Sequence, residues 1–144
     1  KAKKLAEMKA KAKETASGLK YVLGQKKKKK KPTEGATVYI HYAGYLEDGT
    51  LFDSSYEAIN KEFGKFDENR AKANGYQPFP FQYGKKDGLI AGFLEGINML
   101  NFGDKATIFI PSKLGYGERG AGNVIPPNAD IIFEIEMLEA LPAK

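Results

Sequence analysis

Four segments with the pattern of β-strands constrain the fold more than any other feature of the sequence. In the first of them Val38, Ile40 and Tyr42 fall on one face, opposite Tyr39 and His41. Such alternation is typical of a strand with one face buried in a core. The four segments cover residues 37–46, 79–83, 105–110 and 131–138.

One short helix is predicted between the second and the third of these segments. Its apolar residues recur at helical spacing before Gly103: Ile90, Phe93, Leu94, Ile97 and Leu100. A hairpin is predicted at Asp48-Gly49, because this dipeptide suits the left-handed conformations of a tight turn, and a return strand begins at residue 50. Strands around one helix predict an α+β fold, with an antiparallel sheet packed on the helix.

The positive charge of the chain is confined to its N-terminal part. Residues 1–31 contain 13 Lys against two Glu, whereas the remainder contains 10 Lys or Arg against 16 Asp or Glu. The first 16 residues or so are strong helix formers with little apolar surface, which predicts a solvated helix or linker that ends at Ser17-Gly18. We therefore divide the chain into a basic helical extension, residues 1–18, and a domain, residues 19–144.

Several further segments of the domain have recognisable patterns. Residues 19–23 predict an edge strand, and residues 26–31 are six consecutive lysines. Such a run repels itself and stays hydrated, and it lacks the aromatic residues that stack on bases. A solvated loop is therefore favoured over nucleic-acid contacts, which would be weak and salt-dependent. The core of the domain is predicted over about residues 34–140, with an insert at 56–77 that contains a helical turn at 58–63.

Composition excludes most conventional catalytic sites. The chain has no Cys, which rules out disulfides and thiolate nucleophiles. The single histidine, His41, lies in a strand among aromatic residues and is interpreted as structural, not as a catalytic base. Glu134 and Glu136 share one face of the last strand, which is predicted to face solvent. Residues 115–120 match a dinucleotide-binding string, but the proline pair after them precludes the helix that would bind the phosphates.

Ten aromatic and apolar residues are predicted on one concave surface. Residues of this kind, taken singly, lie in cores more often than in clefts. Two features favour a cleft: part of the set lies in a Gly- and Pro-rich loop, and Asp53 adds a carboxylate beside it. The ten are Tyr42, Phe52, Phe79, Phe81, Ile90, Phe93, Tyr116, Val124, Ile125 and Phe133.

These strings resemble, in the same order, the FKBP-type peptidyl-prolyl isomerases over about residues 34–140. The resemblance implies a curved antiparallel sheet wrapped over one short helix, and an activity that turns X-Pro bonds between cis and trans. The segments that carry it are VYIHYAG (38–44), LEDG (46–49), FDSS (52–55), PFPF (78–81), LIAGF (89–93), GYG (115–117), VIPP (124–127) and IF (132–133).

The resemblance also implies roles for individual residues. Tyr42, Asp53 and Tyr116 would be the catalytic residues, with the Tyr42 hydroxyl steadying Asp53 and the Tyr116 hydroxyl meeting a substrate carbonyl. The Ile90 amide would bind a second carbonyl, and Phe93 would form the floor. The remaining substrate-binding residues would be Phe52, Phe79, Phe81, Leu89, Val124, Ile125 and Phe133.

The sequence departs from the family pattern in three places. Phe93 stands where many members have Trp, which predicts a smaller floor. Residues 56–77 lengthen a segment in which compact members often place an arginine facing the aspartate, so the partner of Asp53 is left open. Ala121 stands where some members have a larger loop residue.

An apolar pocket suits this reaction, because rotation about the X-Pro bond needs neither proton abstraction nor bond cleavage. Two hypotheses remain: an active isomerase in protein folding, or a chaperone or interaction module that uses the same cleft without turnover. The expected partners are proline-containing peptides, unfolded proteins and the macrolide inhibitors of the family.

We expect no cofactor, metal, membrane or specific nucleic acid, and a monomer. No apolar run approaches the ~18 residues of a membrane span. A cytoplasmic location is expected, or an extracytoplasmic one if a signal lies upstream, since the start at Lys1 suggests a fragment of a longer chain.

Overall fold

The computed structural model describes residues 1–25 and 30–140. Four of the six lysines at 26–31 therefore lie outside the described residues. The helices within the described ranges are α1 (Ala2–Ala10), α2 (Glu57–Glu62), α3 (Glu68–Lys72) and α4 (Ala91–Ile97). The strands are β1 (Lys13–Glu14), β2 (Lys20–Gln25), β3 (Thr37–Leu46), β4 (Leu51–Ser54), β5 (Phe79–Gln82), β6 (Lys105–Ile110) and β7 (Ile131–Leu138).

The strands form one antiparallel sheet in the order β1-β2-β6-β7-β3-β4, and β5 pairs with the same edge of β3 as β4 does. β3 and β7 pair along eight residues, from Tyr39 opposite Leu138 to Leu46 opposite Ile131. The predicted α+β fold, with its antiparallel sheet and central helix, is confirmed. The segment at 19–23 was expected at an edge, but β2 lies between β6 and the two-residue strand β1.

The core lies between α4 and the inner face of the sheet. Two glycines let the helix approach closely: a Cβ at Gly92 would lie 2.6 Å from Cγ2 of Ile110, and one at Gly96 would lie 2.7 Å from Cδ1 of Ile108. Dense contact of this kind stabilises the fold, because the apolar surfaces of helix and sheet are both removed from water. Fully buried core residues include Val38, Ile40, Ile97, Leu100, Ile108, Ile110, Ile131 and Met137.

The outer face of the sheet carries a second apolar cluster, and α1 packs on it. Leu5 is 1% exposed in a cluster with Ala43, Tyr45, Leu51, Phe109 and Ile132. The predicted N-terminal helix is confirmed, but it ends at Ala10 instead of near residue 16, and its single Leu is buried instead of solvated. The apolar outer face explains this packing, since Leu5 covers surface that would otherwise meet water.

The carboxylates of the last strand are partnered by the elements on this outer face. Lys1 Nζ lies 3.3 Å from Oε2 of Glu134, and the Tyr56 hydroxyl donates to Oε1 of Glu136 at 2.8 Å. Both carboxylates remain partly exposed, with side-chain exposures of 34% for Glu134 and 19% for Glu136, so the predicted solvent-facing side of the strand also carries these contacts. The division of the chain at residue 18 stays a prediction.

The insert at 56–77 contains two helices. α2 includes most of the predicted helical turn at 58–63, and α3 was not predicted. Ile59 and Phe63 pack against the outer apolar cluster, so α2 covers part of the outer face beside α1. None of the helices in the described residues is long and apolar enough to cross a lipid bilayer.

Candidate functional site

An open cavity of about 830 Å³ lies between the inner face of the sheet, the start of α4 and the loop at 115–128. Its size falls within the range of small-molecule sites. The residues that line it are Tyr42, Phe52, Asp53, Phe79, Gly88, Leu89, Ile90, Phe93, Tyr116, Ala121, Val124, Ile125 and Phe133.

The structure brings together all but one of the site residues predicted from the sequence. The exception is Phe81, which is 6% exposed in the main core and does not line the cavity. Phe81 pairs with the fully buried Val38, whereas Phe79, two residues earlier on the same strand face, pairs with Ile40 and reaches the cavity wall. We therefore assign Phe81 to the core.

The aromatic rings of the cavity meet edge to face. Phe93 and Phe133 have ring centroids 4.7 Å apart at 83°, and Phe52 meets Phe133 at 5.5 Å and 86°. Tyr42 contacts Phe79, Phe93 and Phe133 at 5.8, 6.2 and 6.1 Å. Such contacts are favourable beyond the burial of area, so the walls support one another around a space that an apolar ring can enter.

Gly44 leaves room for two of these rings. A Cβ at this position of β3 would lie 2.5 Å from the Phe52 ring and 2.8 Å from the Phe133 ring. Any larger residue would therefore overlap both rings and displace them from their present contacts.

One wall of the cavity is polar. The Tyr42 hydroxyl donates to Oδ2 of Asp53 at 2.6 Å, while the Ser54 amide and Nη1 of Arg70 donate to Oδ1 at 2.8 and 3.0 Å. Burial, and then the bond to Asp53, raise the pKa of Tyr42 far above its ordinary value. The hydroxyl consequently stays protonated and remains a donor.

Arg70 was not identified from the sequence, and it is the partner of Asp53 that was left open. It lies on α3 within the insert, 17 positions along the chain from Asp53. The available signal was that Arg70 and Arg119 are the only arginines in the chain, with Arg70 close to the segment in which compact members place theirs.

Two buried serines hold the backbone at Tyr42. β5 pairs with β3 as far as Ile40, and β4 begins its pairing at Ala43, which leaves Tyr42 between them. Its amide donates to Oγ of Ser55 at 2.7 Å, and its carbonyl accepts from the Ser55 amide at 2.9 Å and the Ser54 hydroxyl at 2.8 Å. Buried polar groups without partners are costly, so these bonds hold Tyr42 in place at the break in the ladder.

The mouth of the cavity is formed by apolar side chains that remain exposed. Leu89, Tyr116 and Val124 are 38%, 37% and 52% exposed. The loop that carries Tyr116 and Val124 closes through a bridge from Ala121 to Ile125. Gly120 makes this closure possible, because its φ is +66° and a Cβ would overlap the Ile125 carbonyl oxygen.

Two residues that line the cavity bring a hydrogen-bond donor, and none of the lining residues is a nucleophile beside a base. Tyr116 presents its hydroxyl, and within residues 1–25 and 30–140 the Ile90 amide donates to no other group. In the same residues, no three His, Asp or Glu side chains are placed to bind a metal ion. The arrangement can therefore bind an apolar ring and hold carbonyl groups on either side of it.

His41 lies outside the cavity, on the opposite face of β3. Its Nδ1 is 2.7 Å from Oγ of Ser55, and its ring stacks on Tyr56 with centroids 4.1 Å apart. The interpretation of His41 as a structural residue is thus supported by its contacts. Burial lowers its pKa below 6.5, with Glu136 opposing the shift and Lys105 adding to it.

We expect the lowered pKa of His41 to make the fold less stable in mild acid. The unfolded chain binds this proton more tightly than the folded chain, so the free energy of unfolding should fall as pH drops through 6.5. Urea unfolding between about pH 8 and pH 5 measures this fall. The fall should be smaller in His41→Gln than in the wild type, because the variant lacks the group that titrates. NMR of the single histidine should give a pKa below 6.5; a pKa above 6.5 would contradict the prediction.

Comparisons with known proteins agree with this geometry. The family model described as FKBP-type peptidyl-prolyl cis-trans isomerase matches residues 28–138. A "Probable FKBP-type peptidyl-prolyl cis-trans isomerase FkpA" of Neisseria meningitidis is 39% identical over 137 residues, which cover 92% of this chain and 43% of that protein. "FK506-binding protein 2" of Kluyveromyces lactis is 41% identical over 110 residues, covering 76% of this chain and 66% of that protein.

Solved structures of FKBP-type proteins also resemble this chain. FkpA from Escherichia coli superposes with a TM-score of 0.67 at 31% identity, covering 99% of this chain and 59% of that one. AtFKBP13 superposes with a TM-score of 0.68 at 28% identity, covering 90% of this chain and 97% of that one. The chain spans between 43% and 66% of the length of the two relatives named above. The chain belongs to the family of FKBP-type peptidyl-prolyl cis-trans isomerases.

Proposed function

We propose that this chain is an active peptidyl-prolyl cis/trans isomerase that accelerates slow X-Pro steps in protein folding. The observation that carries the proposal is the open aromatic cavity with the Ile90 amide and the Tyr116 hydroxyl at its mouth. We expect a proline ring to enter the apolar interior, with the two donors bonding the carbonyls that flank it.

The proposed mechanism is preferential binding of the twisted imide. Rotation about an X-Pro bond crosses a barrier of about 18–20 kcal/mol, because it breaks amide resonance. Resonance places negative charge on the carbonyl oxygen, and water stabilises that planar form. An apolar cavity removes this solvation, so the less polar twisted form binds better than the planar one.

The polar wall restrains the cavity without reacting. Asp53 accepts from Tyr42 and Arg70, and the Tyr42 ring contacts three other rings of the cavity. We infer that the Asp53 carboxylate orients Tyr42 and thereby holds the width of the cavity.

The isomerisation rate of a short X-Pro peptide tests the proposal. The wild type should exceed the uncatalysed rate, and Tyr116→Phe should lower kcat/KM by about two- to tenfold, the value of one hydrogen bond. Tyr39→Phe is the matched control, since Tyr39 lies on the outer face of β3 and should keep wild-type kcat/KM. A wild-type rate equal to the uncatalysed one would contradict the proposal.

A chaperone or interaction module that uses the same cavity is the second candidate, favoured by the exposed apolar side chains of Leu89, Tyr116 and Val124 at its mouth. Such a module would bind unfolded proteins with no acceleration of the peptide. Relatives are named FK506-binding proteins, so we propose that macrolides of that class enter the same cavity and compete with peptides. The cytoplasmic location and the monomeric state stay predictions.

A further inference from the structure

The insert holds Arg70 in one orientation, and we propose that Tyr76 is a positioning residue that keeps the polar wall of the cavity in place. The inference rests on the proposed isomerase function, because it assigns a residue that supports that reaction from outside the cavity. Tyr76 does not line the cavity. Within residues 1–25 and 30–140, its contacts lead to the site through Arg70 and Asp53.

The guanidinium of Arg70 donates in three directions. Nη1 donates to Oδ1 of Asp53, Nη2 to the Ser54 carbonyl and Nε to the Gly75 carbonyl, at 3.0, 3.0 and 3.1 Å. Two of these acceptors belong to β4 and the third to the turn after α3. A planar fork bound at both sides has little freedom to rotate, so the position of the turn determines the position of the guanidinium.

Tyr76 contacts both Arg70 and the start of its helix. The guanidinium carbon lies 4.6 Å from the centroid of the Tyr76 ring, within the range of a cation–π contact. The Tyr76 hydroxyl accepts from the Asp67 amide at 2.8 Å. Asp67 caps α3, because its Oδ1 accepts from the amides of Asn69 and Arg70. One side chain therefore holds the guanidinium and the first turn of the helix that carries it.

The rest of the insert supports Tyr76. Phe66 stacks on it with ring centroids 5.7 Å apart at 18°, and Lys61 lies 4.8 Å over the Phe66 ring. Gly75 closes the turn against Arg70: its amide donates to the Arg70 carbonyl at 2.8 Å, and a Cβ there would lie 2.6 Å from Cγ of Arg70. The contacts around Arg70 thus leave no room for a side chain at position 75.

The effect on the cavity passes through Asp53. Arg70 and Tyr42 bind different oxygens of the same carboxylate, and the Ser54 amide shares Oδ1 with Arg70. A displaced Arg70 therefore removes one of the two donors that fix Oδ1 and weakens the restraint on the carboxylate that accepts from Tyr42. The Tyr42 ring contacts three aromatic walls. The loss of the Tyr76 ring is therefore expected to loosen the substrate cavity without removing any residue that lines it.

Steady-state kinetics of Tyr76→Leu test the proposal. We expect kcat/KM to fall about fivefold, mainly through a higher KM, as coupling between residues in contact predicts. A mere loss of folded protein would lower the apparent kcat and leave KM unchanged. Tyr76→Phe keeps the ring over Arg70 and loses the bond to the Asp67 amide, so its kcat/KM should lie between those of the wild type and Tyr76→Leu. Lys72→Ala, an exposed change on the same helix, is the matched control.

A double-mutant cycle shows whether Tyr76 acts through Arg70. In an Arg70→Met background, Tyr76→Leu should lower kcat/KM no further. The same fivefold loss in that background, or unchanged kcat/KM in the single variant, would overturn the proposal.

NMR separates this inference from the proposed function. The chain has two arginines, so the Nε–H signal of Arg70, bonded to Gly75, can be assigned with Arg70→Met. Its hydrogen exchange should be slow in the wild type and fast in Tyr76→Leu. Were the wild type inactive on X-Pro peptides, the isomerase function would fail, and unchanged exchange in Tyr76→Leu would independently overturn the positioning role.

Discussion

Asp53→Ala is expected to lower kcat/KM for an X-Pro peptide by about tenfold to a hundredfold, while the protein stays folded. The change removes the acceptor of the Tyr42 hydroxyl and of Nη1 of Arg70 together. Hydrogen bonds to charged groups are worth about 1.5–3 kcal/mol, and every 1.4 kcal/mol is about tenfold in rate. Among the proposed variants, we expect the largest loss of kcat/KM in Asp53→Ala, because this one carboxylate connects Arg70 of the insert to Tyr42 of the aromatic walls.

The stability of Asp53→Ala should change little in comparison, since the Asp53 side chain is 44% exposed. Asp53→Asn retains an oxygen for the Tyr42 hydroxyl and loses the charge that pairs with Arg70, so its kcat/KM should lie between those of the wild type and Asp53→Ala. Glu7→Gln is the matched control: it removes an exposed carboxylate from α1 and should leave kcat/KM unchanged. Wild-type kcat/KM in Asp53→Ala would show that the polar wall has no part in the reaction.

Leu5→Ala is expected to lower the free energy of unfolding by about 2–4 kcal/mol, as large-to-small changes at buried sites do. Leu5 is 1% exposed between α1 and the outer face of the sheet. Its removal leaves a cavity against Tyr45 and Phe109, and the ion pairs of Lys1 and Lys9 at the helix ends are too exposed to compensate. Urea unfolding followed by circular dichroism measures the change.

Leu23→Ala is the matched control. Because Leu23 is 42% exposed, its truncation should lower the free energy of unfolding by less than about 1 kcal/mol. If the urea unfolding curves of the wild type and Leu5→Ala had equal midpoints and slopes, the packing of α1 would contribute nothing to the stability of the fold. That outcome would favour the expected division of the chain at residue 18. A large loss would instead make residues 1–10 part of the folded unit.

Much of the fold could be predicted from local patterns. The strands at 105–110 and 131–138 have the predicted bounds, and the strand at 37–46 does as well. Alternation of buried and exposed positions is a property of the extended backbone, so it can be read within a few residues. The helix at Ala91–Ile97 was visible for the same reason, through the spacing of its apolar residues.

The membership of the cavity was predicted nearly completely, with one error that shows the limit. Phe79 and Phe81 share a face of β5, and the sequence does not distinguish them. The position of β5 beside β3 decides between them: Phe81 lies opposite Val38 within the core, and Phe79, two pairs along the ladder, lies opposite Ile40 and nearer the cavity.

The Arg70 contact could not be predicted, because it depends on how a 22-residue insert closes. α3, the tight turn at Gly75 and the Tyr76 ring together bring the guanidinium to a carboxylate 17 positions away. The burial of Leu5 could not be predicted either, because it also depends on a contact between distant segments, here α1 and the outer face of the sheet. Nothing in a Lys- and Ala-rich helix shows that the sheet has a second apolar face to cover.

The sequence by itself determined most of the strands, the central helix and nearly all of the aromatic residues that form the cavity, since backbone periodicity and side-chain chemistry are local. Only the tertiary structure decided which Phe reaches the cavity, which residue partners Asp53 and which surface α1 covers. Those outcomes depend on contacts between segments far apart in the chain, and such contacts follow from the packing of the whole sheet.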